Sequence, residues 1–353
     1  VIAKANSSHP GVTKLLAECA VSAADANELP KGSVQLLYRT SHQDGERLAA
    51  DPRTGAIAYT GSRGAGLRLK SAADAAGTPI YLELSSVNPV LLLPAIVAEK
   101  FEELVQEFAG SCLLAAGQFC TCPNMVLLLA GVDTERFITR LADEFASRPS
   151  GTLLSGGVLS TLQHVLADLR AAGAQLAAGG GPSDGPGYSF QNTLLRVSGG
   201  AFLENPESLQ SEAFGNVTTV VVAEDVEQLG RILRRLEGSL TGSVYSLPDH
   251  DGDEQIYRRV EPLLRQRVGR LLNDKMPTGV AVSPGMNHGG PFPATGHPGF
   301  TAVGIPAALD RFAMLQCYDN VRSDRLPACL QDANPNGRMW RQIDGTWTQA
   351  HVG

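Results

Sequence analysis

Apolar positions along the first eighty residues switch between a strand period and a helix period. Short apolar runs of strand length fall at 1–4, 33–38, 55–60 and 80–84. Between them, Gly11 to Asn27 and Gly64 to Ala76 have helical composition. Gly77 stops the second of these helices, and Pro79 follows it. Strand and helix alternating at this spacing predict a parallel α/β sheet, an architecture that takes nucleotides beyond the carboxyl ends of its strands. A second α/β unit begins near residue 85. The pattern predicts strands at 125–130, 217–223, 243–247 and 269–273, with helices at 133–147, 157–173 and 225–237. The apolar run from Met125 to Ala130 has the length of a buried strand. Gly179 to Gly187 is rich in Gly and Pro and predicts a surface loop. The segment Asn287-His288-Gly289-Gly290-Pro291-Phe292-Pro293 is also irregular, and its aromatic ring implies that it lines something. No internal repeat or low-complexity tract interrupts the pattern.

Composition narrows the classes. With 353 residues, 43% of them hydrophobic, the chain can bury a large core and about two domains are expected. A net charge of −7 and the lack of a Lys/Arg run exclude a nucleic-acid footprint. No apolar stretch approaches the ~20 residues that cross a bilayer. The cysteines (Cys19, Cys112, Cys120, Cys122, Cys317, Cys329) lack framework spacing and read as reduced thiols of a cytoplasmic protein. Cys120 and Cys122 are not a Cys-x-x-Cys pair, and no second Cys/His pair sits at finger spacing, so no metal is expected. There is no secretory signal and no initiating Met; Val1-Ile2-Ala3-Lys4 reads as an interior strand, and an upstream segment is expected to be missing.

Three short stretches carry chemistry. Cys120, in Gly117-Gln118-Phe119-Cys120, offers a nucleophile, since a thiolate attacks a carbonyl and leaves a thioester that water can open. The bland alternative is a packed core thiol, and Cys122 is the internal rival. Glu83 ends the strand Ile80 to Leu84, where apolar neighbours would tune a carboxylate toward a working base; otherwise it is an exposed strand-end acid. Thirty-seven residues separate it from Cys120, room for one strand and one helix. Thr60-Gly61-Ser62-Arg63-Gly64-Ala65-Gly66 joins a strand to a helix. Such a turn presents backbone N–H groups to a pyrophosphate, although tight turns use glycine for backbone reasons alone.

Leu82-Glu83-Leu84-Ser85-Ser86-Val87-Asn88-Pro89, Gly117-Gln118-Phe119-Cys120 and Ser211-Glu212-Ala213-Phe214-Gly215, in this order, resemble the aldehyde dehydrogenase superfamily. Ser85-Ser86 stands where most members carry two glycines, and this form resembles the branch acting on 2-oxoglutarate semialdehyde (2,5-dioxopentanoate). The likeness runs from Lys4 and His9-Pro10-Gly11, through His288 to Thr295, to Ala308-Leu309-Asp310-Arg311-Phe312 and Cys317-Tyr318.

The resemblance implies an α/β fold with a Rossmann-like cofactor domain, of which 1–84 is the C-terminal part. An α/β catalytic domain follows at 85–310. The tail at 311–353, which holds Trp340 and Trp347, would contribute to a homodimer or homotetramer. It implies oxidation of a small-molecule aldehyde with NADP or NAD, and no nucleic-acid or membrane partner. Cys120 would attack the aldehyde and Glu83 would activate the hydrolytic water. Thr60, Gly61 and Ser62 would hold the pyrophosphate, and Gly66 would let the helix pack closely. Lys4 would contact the adenosine ribose. Ser7 occupies the place of a glutamate in many NAD-preferring members, so NADP is expected to be accepted at least as well as NAD. Glu212 would hold the nicotinamide ribose, Phe214 would pack beside the nicotinamide, and Phe292 would line the substrate tunnel. Asn216 replaces a usual proline, which predicts a less rigid loop. An oxyanion donor and the groups gripping the distal carboxylate are expected upstream of Val1. Two other readings stay open: an inactive fragment or scaffold that keeps the fold, and a cofactor-independent hydrolase using the same thiol.

Overall fold

The computed structural model describes residues 1–300, 304 and 307–352. Two compact units result, Val1–Arg311 and Phe312–Gly353.

The first unit opens with β1 (Ile2–Lys4), α1 (Pro10–Ala26), β2 (Gln35–Leu37) and α2 (His42–Ala49). Pro10 sits at the start of α1, where its fixed φ suits a helix and its missing N–H costs nothing. β3 (Ile57–Thr60), α3 (Arg63–Ala75) and β4 (Ile80–Glu83) follow. The expected single sheet is corrected here. β1 pairs in parallel with β2 and β3 with β4, but among the described residues no ladder joins the two pairs. The free edge of β4 is instead taken by the late loop: Leu84 N–H donates to Ala294 O (2.8 Å) and Gly296 N–H to Leu82 O (2.9 Å). The apolar faces of these elements bury Ala49, Ala73, Ile80, Leu82 and Leu84 as one small cluster.

The larger core is built on β5 (Val90–Leu92), α4 (Pro94–Glu99), α5 (Phe101–Leu113), β6 (Met125–Leu129), α6 (Val132–Ser147) and α7 (Gly156–Ala171). β7 (Gln175–Ala178), β8 (Thr193–Ser198), α8 (Gly199–Glu204), α9 (Pro206–Leu209), β9 (Val217–Ala223) and α10 (Val226–Arg235) continue it. β10 (Ser239–Tyr245), α11 (Asp251–Arg265) and β11 (Val268–Asn273) complete a seven-stranded sheet of order β11-β10-β5-β6-β9-β8-β7. Every ladder is parallel except β7 with β8. β9 and β10 are buried along their whole length, as strands covered on both faces must be. Asp253, itself buried, accepts N–H groups from Ala95, Ile96 and Leu247, and so caps α4 from a distant helix.

β5, β7, β8, α2, α4, α5, α8, α9 and α11 were not foreseen, and β10 starts four residues before the expected strand. Three-residue β5 is too short to show a period, and Pro262 inside α11 masks a helical pattern.

The second unit holds the antiparallel pair β12 (Arg341–Ile343) and β13 (Thr346–Thr348). Asp344 and Gly345 both take positive φ (48° and 80°), the conformation that a tight hairpin requires. Trp340 and Trp347 are exposed on this unit. Among the described residues, no helix is long and apolar enough to cross a membrane.

Candidate active site

Glu83 closes β4, opposite Thr60 of β3, so the base candidate and the glycine-rich turn share one strand end. Beyond it, the Ser85–Pro89 stretch turns into β5 around Asn88. Asn88 is fully buried with φ of 47°, a left-handed conformation that asparagine tolerates better than most residues. Its Oδ1 accepts the Ser86 hydroxyl (2.7 Å) together with the N–H (3.2 Å) and hydroxyl (3.0 Å) of Thr241. Its Nδ2 donates to the carbonyls of Cys120 and Cys122, both at 2.9 Å. Ser86 Oγ also accepts Leu240 N–H (2.9 Å), so the second serine of the pair ties this turn to β10.

Cys120 follows α5 through a sharp turn in which Ala115, Ala116 and Gly117 take φ of 50°, 55° and 71°. Gln118 fixes the turn from outside, donating to the carbonyls of Ala115 and Thr152 and accepting Leu154 N–H. The result points Sγ toward the late loop, where it lies 3.4 Å from His288 Nε2. The same nitrogen lies 3.3 Å from Glu83 Oε1. Burial pushes the Cys120 thiol up to about 12, and the nearby Glu83 carboxylate adds to the shift. Cys122 is different: it is 1% exposed, donates to Cys112 O, and is also pushed up, by burial first. Of the two neighbours, only Cys120 meets the carboxylate.

Glu212 lies on the loop before β9, where its carboxylate accepts Ser86 N–H at 3.3 Å. Burial pushes it up to about 8, against the pull of the Ser86 N–H and the Ser85 side chain. Phe214 is half-buried beside it in sequence. The expected looseness after Gly215 is corrected. Asn216 is buried, and its Nδ2 donates to Phe190 O (2.7 Å) and Asn192 Oδ1 (2.9 Å), so the amide ties the loop where a proline would stiffen it.

The glycine-rich turn leads into α3, which starts at Arg63 after Ser62. Ser62 makes no side-chain cap and the first turn carries no acid, which leaves its N–H groups open to a phosphate. A Cβ on Gly66 would lie 2.5 Å from Leu84 Cδ2, so α3 packs on the strand end only because that position is glycine. At the end of β1, Lys4 Nζ donates to Ser7 Oγ at 3.2 Å, and both side chains are exposed. The uncapped helix N-terminus fits the pyrophosphate of a dinucleotide, whereas Lys4 and Ser7 lie at the separate β1–β2 pair.

A cleft lined by Tyr59, Thr60, Tyr81, Glu83, His288 and His297, among others, runs between β3, β4 and the late loop. Phe292 is placed elsewhere: its ring is 54% exposed and lies under the Arg63 guanidinium, 5.5 Å from its centroid. Three residues without a role in the sequence reading enter the site: Asn88, His288 and Arg270. Arg270, on β11, donates to Pro277 O and Gly279 O and couples electrostatically to Cys120. Nothing in the strand pattern around Arg270 marks it.

An α/β fold with a strand-end turn suited to a dinucleotide, and a thiol within reach of a carboxylate, defines a candidate site for cofactor-linked thiol chemistry. Residues 1–261 match the aldehyde dehydrogenase family. The chain is 36% identical over 337 residues to alpha-ketoglutaric semialdehyde dehydrogenase 2 of Azospirillum brasilense, covering 95% of this chain and 63% of that protein. It is 31% identical over 352 residues to alpha-ketoglutaric semialdehyde dehydrogenase of Acinetobacter baylyi, covering 99% and 65%. A mutant of apo betaine aldehyde dehydrogenase from Staphylococcus aureus shares the fold with a TM-score of 0.72 at 19% identity, over 88% of this chain and 60% of that one. The chain belongs to the aldehyde dehydrogenase family. It spans less than two thirds of the length of the two semialdehyde dehydrogenases it matches.

Proposed function

We propose that this chain serves an NAD(P)-dependent oxidation of an aldehyde to its carboxylate through a thioester on Cys120, with 2-oxoglutarate semialdehyde as the substrate. The observation that carries the reading is that the Cys120 sulfur and a Glu83 carboxylate oxygen lie within 4.8 Å of each other, both against His288 Nε2. The substrate rests on the names of the two relatives above.

In the first half-reaction the Cys120 sulfur forms a bond to the aldehyde carbon and the carbonyl electron pair moves to oxygen. Re-forming the carbonyl expels hydride with both electrons of the C–H bond, leaving a thioester. NAD(P), when bound, supplies the hydride acceptor. Lys4, Ser7, Thr60, Gly61, Ser62 and Gly66 would hold its adenosine and pyrophosphate end, and Glu212 and Phe214 its nicotinamide end. Ser7 leaves no carboxylate to repel a 2′-phosphate, so NADP should serve at least as well as NAD. In the second half-reaction Glu83 takes a proton from water, the oxygen adds to the thioester, and the C–S bond breaks to release the acid. We place the protein in the cytoplasm, where its six unpaired cysteines would stay reduced. We assign the tail a share in a homodimer or homotetramer.

The test is reduction of NADP and NAD by the intact protein with 2-oxoglutarate semialdehyde. The reading expects turnover that Cys120→Ala abolishes. Ester hydrolysis without cofactor, and no aldehyde oxidation, would make the protein a hydrolase. Neither activity would make it a non-catalytic relative.

A further inference from the structure

We propose that His288 is a catalytic residue of this site: its Nε2 takes the Cys120 proton, and the resulting imidazolium holds the thiolate and the Glu83 carboxylate side by side. The proposal deepens the aldehyde-oxidising reading and rests on it for the reaction served, but not for the proton transfer itself.

The site contains an electrostatic conflict. A thiol must ionise next to a carboxylate that must also be ionised to accept a proton from water, and like charges at this range oppose each other. Burial and the charges of Glu83 and Glu212 all disfavour the thiolate. Arg270 is an opposing charge coupled to Cys120, and its guanidinium is engaged with the carbonyls of Pro277 and Gly279. One imidazole nitrogen lies within hydrogen-bond reach of both conflicting groups, 3.4 Å from the sulfur and 3.3 Å from the carboxylate oxygen. Sequence separations of 168 and 205 residues show that tertiary structure, not local chain geometry, builds the contact.

The backbone that carries the ring is held firmly. A Cβ on Gly269 would lie 1.5 Å from Gly289 O, and one on Gly290 would lie 2.1 Å from Ser239 O, so the loop backbone seats directly on the starts of β10 and β11. Thr295 Oγ1 donates to Gly290 O (2.6 Å), and Asn287 Nδ2 donates to Gly269 O (3.4 Å). The His288 side chain is 12% exposed. A histidine that merely fills space usually satisfies its ring on a backbone carbonyl, whereas here the partners of Nε2 are the nucleophile and the base.

In the step, the Sγ proton moves to Nε2 and the S–H electron pair stays on sulfur. The thiolate then adds to the aldehyde carbon. Nε2–H remains as a donor shared between sulfur and Oε1. When the thioester opens, the departing thiolate recovers its proton from His288, and both groups return to their starting state.

The test is the pH dependence of Cys120 alkylation by iodoacetamide in cofactor-free protein, for wild type, His288→Phe, His288→Gln and Glu83→Gln. Alkylation needs no aldehyde oxidation, so its result stands apart from the fate of the proposed function. Both His288 variants should move the half-maximal pH up by at least about one unit, a loss of about tenfold in rate near neutral pH. Glu83→Gln should move it the other way. A profile unchanged by the His288 substitutions overturns the proposal. Should those variants fail to fold, thiolate absorbance of wild type minus Cys120→Ser decides. A half-point at least about one unit below the value of about 12 that burial and the carboxylates impose supports the role, and one closer to that value overturns it.

Discussion

Gly117 and Gly215 touch backbone to backbone: a Cβ added to Gly117 would lie 2.1 Å from the Gly215 carbonyl oxygen. The two glycines belong to different motifs, one leading to the nucleophile and the other following Glu212. Their contact is where the Cys120 segment and the Glu212 loop are set against each other. Gly117 also has φ of 71°, which an L side chain adopts only at a cost of roughly 1–2 kcal/mol. Gly117→Ala should therefore lose about 3 kcal/mol or more of stability, overlap included. Chemical denaturation checks this. A loss below about 0.5 kcal/mol would mean the two segments can separate freely.

The turn into α3 offers a paired test. Gly66→Ala would press on Leu84 at 2.5 Å and should cost about 1–3 kcal/mol. Gly64 has nothing within 4 Å of an added Cβ, and Gly64→Ala should be neutral or stabilising by about 0.5–1 kcal/mol. Thermal melts of the two single variants check the contrast, and equal effects would contradict it.

Asp253 is 1% exposed and accepts three backbone N–H groups at 3.0, 3.2 and 2.9 Å. Removing the carboxylate strands those donors, so Asp253→Ala should cost about 2–4 kcal/mol. Glu254 is exposed and pairs with Arg258 one helical turn on; Glu254→Gln should stay within about 0.5 kcal/mol. Equilibrium unfolding of both variants checks the difference.

Glu212 titrates near 8 in the folded protein against 4.5 when free, so the folded state binds the extra proton between those values. Stability contributed by this group is therefore greatest below about pH 4.5 and falls as pH rises toward about 8. Glu212→Gln removes that loss. Its stability relative to wild type should increase between about pH 5 and about pH 8 when both are unfolded without cofactor. A difference that does not vary with pH would show that Glu212 is ionised throughout.

The alternation through the first eighty residues was legible because half-buried strands and surface helices write their periods into short segments. Glu83, Cys120 and Glu212 could be singled out as candidates because each stands in a motif of neighbouring residues. Asn88 was visible in its motif, but its bonds to Cys120 O and Thr241 depend on where β10 passes. His288 lay in a segment that reads only as irregular, and its meeting with Glu83 depends on the late loop taking the free edge of β4. The split of the early strands into two pairs was equally hidden, because a strand's pattern does not name its partner. Asn216 misled for a local reason. Losing a proline predicts freedom, while a buried amide with two partners restores the constraint.

The most direct measurement traps the covalent intermediate. Glu83→Gln removes the base that would open the thioester while leaving the thiol in place. Mixed with NADP and 2-oxoglutarate semialdehyde, then quenched in acid and digested, this variant should carry one acyl group on the peptide containing Cys120. The adduct should vanish in the Glu83→Gln, Cys120→Ala double variant. Absence of any adduct, or an adduct that stays when Cys120 is replaced, would contradict Cys120 as the nucleophile.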